Sequence, residues 1–148
     1  MSYLHSKATN PDENGCIQDI SPASANWSYV GFEVRKLSTG QQMSYATGEQ
    51  EVCMVIISGK ADVSTKEESW HDIGSRMSVF EQQAPYSVYA PPGDHFTLKA
   101  NTELEIAFCK APALGKYPAR LITHQQCIYE TKGLGCLLHT SDSYDRRQ

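Results

Sequence analysis

The stretch YAPPGDHFTL, residues 89–98, sets a turn signal, PPGD, between two runs of strand-forming residues. Pro and Gly favour a tight reversal, and the aromatic and β-branched residues on either side suit extended strands. A histidine, His95, follows the turn at once. A tight turn with an imidazole at the start of the next strand is one way a β-barrel enzyme presents a metal ligand. The stretch therefore raises an architecture and a chemistry together.

The same rhythm continues on both sides. WSYVGFEVRKL (27–37) places Val30, Phe32 and Val34 on one face and Tyr29, Glu33 and Arg35 on the other. QQMSY (41–45) is a weaker run, and EVCMVIIS (51–58) is nearly all apolar, predicting a central strand buried on both faces. GKADVST (59–65) follows through a Gly turn, ESWHDIG (68–74) reads as a polar-flanked hairpin or exposed strand, and MSVF (77–80), PYSVYA (85–90), HFTLKA (95–100) and LEIAFC (104–109) complete the set. One short run about every 8–12 residues, punctuated by Gly, Pro or Asn, predicts an all-β sandwich or barrel. No long segment has a helical period, so helix is predicted to be minor.

A chain of 148 residues suits one domain, and its 40% hydrophobic and 20% charged residues describe a folded chain rather than a disordered one. The net charge of −4 and the absence of a basic patch argue against nucleic acid. No apolar run is long enough to span a membrane. The polar start, MSYLHSKATNPDENG, has no signal-peptide core, which predicts a cytoplasmic location. Five cysteines, at 16, 53, 109, 127 and 136, form no CxxC pair. Cys53 and Cys109 lie in apolar strands and read as small buried hydrophobes, their thiols raised in pKa and inert.

Two motifs point to a family. GEQEVCMVIISGKADV (48–63) resembles the first cupin motif, in which His-x-His and Glu precede a strand ending in Gly. APPGDHFTLKAN (90–101) resembles the second, Pro-x-Gly-x-x-His-x-x-x-Asn. Longer strings extend the match: WSYVGFEVRKL, EVCMVIISGKADV, RMSVFEQQAPYSVYAPPGDHFTL, LEIAFCKAPA and GKYPARLI occur in this order. Together they are similar to the amino-terminal half of the 5-deoxy-glucuronate isomerase family of myo-inositol catabolism, over roughly residues 21–133. The resemblance implies a cupin double-stranded β-helix, a jelly-roll barrel. It implies three segments: a polar lead-in at 1–25 lying over the surface or partly mobile, the barrel at 26–133, and a divergent polar tail at 134–148. Family members are bicupins whose second barrel carries the metal-binding histidines and glutamate. This chain ends where that second barrel is expected.

Within this half the ligand set is poor. The first motif should supply two histidines shortly before Glu51, but Met43, Ser44, Tyr45, Ala46 and Thr47 stand there. In the second motif only Asp94 separates Gly93 from His95, so Phe96 occupies the ligand position. Neighbouring strand residues point to opposite faces. If Phe96 points inward, His95 points out. His71 reads as a solvated side chain, His124 follows a short apolar run, and His139 sits in the tail. Glu51 is the best surviving relic of a ligand set and reads first as a strand-end carboxylate in solvent.

The resulting expectations are specific. No catalytic residue, metal ligand or substrate-binding residue is assigned in this half, and a divalent metal is expected only in the second cupin. Phe96, Val88 and Met54 are predicted to fill the barrel as a packed core. Tyr29, Trp70, Tyr86 and Tyr89 are candidates for a contact with a second barrel, and a homodimer or larger homo-oligomer is predicted. Arg35, Arg76 and Arg120 could pair with a sugar carboxylate but read as solvated charges. The chain is read as an isomerase-family member inactive on its own. The alternative is a non-catalytic cupin module for sugar-acid binding or assembly. An enzyme with a pocket of its own ranks last, because no acid–base pair is visible.

Overall fold

The computed structural model describes residues 6, 7 and 9–128. The expected tail at 134–148, with Cys136 and His139, lies outside the described residues. The described chain is all-β, as predicted. In chain order its elements are β1 (Cys16–Ile20), a short helix α1 (Pro22–Ala25), β2 (Gly31–Leu37), β3 (Gln42–Ala46), β4 (Gln50–Ser58), β5 (Ala61–Ser64), β6 (Ser69–Ile73), β7 (Ser87–Ala90), β8 (His95–Ala100), β9 (Leu104–Pro112) and β10 (Arg120–Ile122). A 3-10 turn at His124–Gln126 follows.

The strands form two antiparallel sheets. One has six strands in the order β1-β2-β9-β4-β7-β10, and the other has four, β3-β8-β5-β6. Side-chain alternation builds the core between them. On β4, Val52, Met54 and Ile56 are 0–2% exposed. On β9, Leu104, Ile106 and Phe108 face the same interior, and β8 contributes Phe96 and Leu98 from the opposite sheet. Burying each of these large side chains contributes about 1.5–3 kcal/mol.

Gly59 joins β4 to β5 at φ +95°, and a Cβ there would lie 2.2 Å from the Glu103 carbonyl oxygen. Only glycine lets this turn seat against the β8–β9 turn.

Four expectations are corrected. Residues 16–20, within the expected lead-in, form edge strand β1, which pairs with β2. MSVF (77–80) is not a strand but an exposed loop, with Phe80 91% exposed. Glu81 accepts from the amides of Met77 and Ser78, which satisfies that backbone locally and leaves it without a ladder. β4 is central, but only its inner face is fully buried, and Glu51, Cys53 and Val55 are half-buried on the outer face. On β2 the inward residues are Gly31, Glu33 and Leu37, while Phe32 and Val34 lie on the other face. The apolar trio therefore does not point inward as the pattern suggested.

Candidate functional site

The second motif places its turn by a buried polar clasp. Gly93 takes φ +74°, and its amide donates to the Gly48 carbonyl at 2.7 Å. Thr47, 3% exposed, donates its hydroxyl to Pro91 O at 2.8 Å and accepts from the Asp94 amide at 2.9 Å. The Asp94 carboxylate accepts from the amides of His95 and Lys66 at 2.6 and 3.0 Å. These bonds satisfy groups whose burial would otherwise be costly. Thr47 and Asp94 are thus engaged in holding the turn.

The strand after that turn has the predicted phase. Phe96 is 0% exposed inside the barrel, and His95 is exposed on the other face. The Phe96 ring stacks between Tyr45 of β3 and Phe108 of β9, at centroid separations of 5.5 and 5.9 Å. Such stacking adds to the area the rings bury. Val88 and Met54, each 1% exposed, join this core. Glu51 lies on the outer face of β4 and accepts from the Tyr89 hydroxyl at 2.9 Å. Glu51 thus points away from the barrel, as a strand carboxylate rather than a ligand, but it is half-buried and bonded to Tyr89 rather than free in solvent, and Val52 points in.

A charged group also lies inside, unanticipated by the sequence reading. Glu33 is 6% exposed. One of its carboxylate oxygens takes the Arg35 Nε–H, and the other takes Lys110 Nζ at 2.5 Å. Arg35 also donates to Asn14 O at 3.1 Å. Lys110 Nζ sits 4.5 Å from the centroid of the Tyr45 ring, a cation–π contact. Burial pushes the Glu33 carboxyl upward, but Lys110 and then Arg35 outweigh it and hold the group below the usual range. Burial pulls Lys110 down, and the Glu33 partner more than reverses this. The charges compensate one another, which is how charged groups persist in an interior.

The other candidates do not converge. His71 is exposed, with Nδ1 3.7 Å from Asp62. His124 packs on Tyr86 at a centroid separation of 5.3 Å, and its Nδ1 is buried without a hydrogen-bond partner among the described residues. Arg35 is not a solvated charge but a partner of Glu33, and Arg76 pins the 77–83 loop through Ile57 O and Gln83 O. Arg120 is exposed on β10, opposite Tyr89. Trp70 belongs to the four-stranded sheet, so it does not share a patch with Tyr89 of the six-stranded sheet. Tyr29 is exposed and Tyr86 packs on the core. Cys109 is exposed rather than buried, and Cys53 is half-buried. Burial raises both thiols.

Among the described residues no three His, Cys, Asp or Glu side chains come together to hold a metal ion. Phe96, at the ligand position of the second motif, is sealed in the ring stack and offers no ligand atom, so this position does not fit such an ion. A surface depression of about 400 Å³ beside the turn is lined by Lys66, Lys116 and Tyr117, but Lys66 Nζ already donates to Gly93 O.

A family model described as the KduI/IolB family matches residues 3–138. The chain belongs to the KduI/IolB family. Its match to that family is wider than the 21–133 stretch read from the sequence and takes in β1. The chain is 46% identical to a 5-deoxy-glucuronate isomerase of Geobacillus kaustophilus over 91% of its length, covering 49% of that protein. It is 30% identical to the Bacillus subtilis protein of the same name over 90% of its length. A crystal structure of an IolB-like protein from Salmonella typhimurium LT2 superposes with a TM-score of 0.83 at 42% identity, over 88% of this chain and 49% of that one. A cupin protein from Bacteroides fragilis, 13% identical, superposes with a TM-score of 0.54 over 88% of this chain, a likeness of fold alone. The KduI/IolB chain is thus a cupin barrel. It spans about half the length of the isomerases it matches. No helix among its described residues is long and apolar enough to cross a membrane.

Proposed function

We propose that this barrel is a supporting half of a two-barrel sugar-acid isomerase, of the kind its relatives' name describes, and does not carry the chemical step by itself. An aldose–ketose isomerisation moves a proton between C1 and C2, and it needs an acid–base group and a stabiliser for the enediol's charge. The observation that carries the reading is the filled interior. The Tyr45–Phe96–Phe108 stack and the Glu33–Lys110 pair fill the space between the two sheets, which supports a barrel that braces rather than reacts.

The substrate is a 5-deoxy-glucuronate-type sugar acid of inositol breakdown, and the divalent metal belongs to the other barrel. The chain also self-associates, because Trp27 and Val30 leave about half of their surface exposed. Light scattering that found a monomer at all concentrations would remove that part of the proposal.

The test is complementation. The chain is mixed with the separately produced other half of the Geobacillus kaustophilus isomerase, and isomerisation of 5-deoxy-glucuronate is followed. Activity is expected from the mixture and from neither half alone. Turnover by this chain alone would refute the reading.

A further inference from the structure

The outer face of the six-stranded sheet holds two thiols side by side. The β4–β9 ladder keeps one register from Gln50↔Pro112 to Ile56↔Ile106, and within it Cys53 stands directly opposite Cys109. Both belong to the outward-pointing set, since their neighbours Val52, Met54 and Phe108 are the buried ones. Register extends the row to Phe32 of β2, beside Cys109, and to Tyr89 of β7, beside Cys53. A shallow cavity of about 270 Å³, lined by Val30, Tyr89 and Ala111, opens over the two sulfurs.

The ladder also tells which kind of pair this is. The Ile56 amide donates across to Tyr86 of the β7 side, so even-numbered β4 residues turn their backbone groups toward β7. The Glu49 carbonyl accepts from Ala113, so odd-numbered residues turn theirs toward β9. Cys53 and Cys109 are therefore a hydrogen-bonded pair, the wide kind, with Cα atoms about 5.5 Å apart. Their Cβ atoms fall at the far end of the cross-strand range, about 5.5 Å. A disulfide needs about 3.5–4.5 Å between Cβ atoms and so would strain this ladder. A single atom bridging the sulfurs spans the gap without strain, because two metal–sulfur bonds of about 2.3 Å replace one S–S bond.

We propose that Cys53 and Cys109 form a two-thiolate site for one soft, thiophilic cation of the monovalent-copper class. Thiolate sulfur selects such ions over harder divalent ones. Two ligands on neighbouring strands supply a two-coordinate ion, whereas a zinc site needs four. The carboxylate lining the same cavity, Glu51, is already taken by the Tyr89 hydroxyl. Binding breaks two S–H bonds, forms two copper–sulfur bonds and releases two protons to solvent, with no change of oxidation state. The resulting negative charge lies near the Arg120 guanidinium, which acts on Cys53 against the effect of Glu51.

The experiment is an anaerobic titration of the full chain with monovalent copper against a coloured copper chelator. It uses a background in which Cys16, Cys127 and Cys136 are serine. About one copper per chain is expected to resist the chelator, falling below about a tenth in C53S and in C109S. Because a serine variant could fail to fold, the unaltered protein is tested too. One equivalent of copper should block alkylation of Cys53 and Cys109 together, read by mass spectrometry on the peptides. Copper retained by either single variant would overturn the site, as would one copper shared between two chains. So would a disulfide between the two cysteines with no copper held.

Discussion

The two faces of strands β4 and β9 carry opposite chemistry on the same backbone. The inner face presents Val52, Met54, Ile56, Leu104, Ile106 and Phe108, all sealed. The outer face presents Glu51, Cys53, Val55 and Cys109, half-buried or exposed. In an active cupin the inner face would be the reactive one. Here it is spent on packing, and the groups with spare chemistry lie outside. The difference teaches that stability asks only that the interior be full and its charges paired, which leaves the outer face of the same strands free to carry other groups.

The largest expected effect comes from emptying the inner face. Phe96→Ala removes the middle ring of the stack and should cost about 3–5 kcal/mol in chemical denaturation. The matching outer-face change, Val55→Ala, should cost far less. Equal losses would break the distinction between the faces.

Next comes the buried ion pair. Lys110→Met alone leaves buried Glu33 with Arg35 but without its ammonium partner and should cost about 1–3 kcal/mol, whereas adding Glu33→Leu should recover most of that loss. A double variant no better than the single would show that packing, not charge, holds this corner. The pair also sets a pH window. Glu33 titrates below its usual 4.5, so its contribution is present above that value and disappears as pH falls through the lowered folded-state pKa. Lys110 titrates above its usual 10.5, so its contribution is present below that value and disappears as pH rises through the raised one. The double variant should show a flatter stability profile at both ends, measured by thermal melts across pH.

Smaller effects belong to the outer face. Tyr89→Phe deletes one half-exposed hydrogen bond to Glu51 and should cost no more than about 1 kcal/mol. His95→Ala should stay within about 0.5 kcal/mol, as exposed changes do. A loss of several kcal/mol from His95→Ala would mean that the imidazole points inward after all.

Much of this was legible in the residues. The Gly/Pro punctuation marked most strands, and the one-residue offset between Gly93 and His95 foretold which of His95 and Phe96 would be buried. FEVRKL was harder, because two alternating sets both include residues that could face either way. The deciding constraint is the pairing of β2 between β1 and β9, which is long-range. LEIAFCK contained a usable signal: once Leu104, Ile106 and Phe108 are taken as inward, Lys110 must follow them and Cys109 must face out. What no local pattern gives is a counter-ion. Glu33 and Lys110 lie 77 positions apart, and only the sheet brings them together. MSVF misled because its composition suits a strand, while Glu81 closes the loop on itself.

The most direct test of the closed interior is metal per chain. The protein and its C53S/C109S variant are incubated with Mn, Fe, Ni and Zn, desalted and measured by elemental analysis. The expected value for the variant is near zero for every ion. A value near one in that variant would place a ligand set inside the barrel and contradict the account. Metal held by the unaltered protein alone would lie on the outer thiols and would count against their selectivity for a monovalent ion.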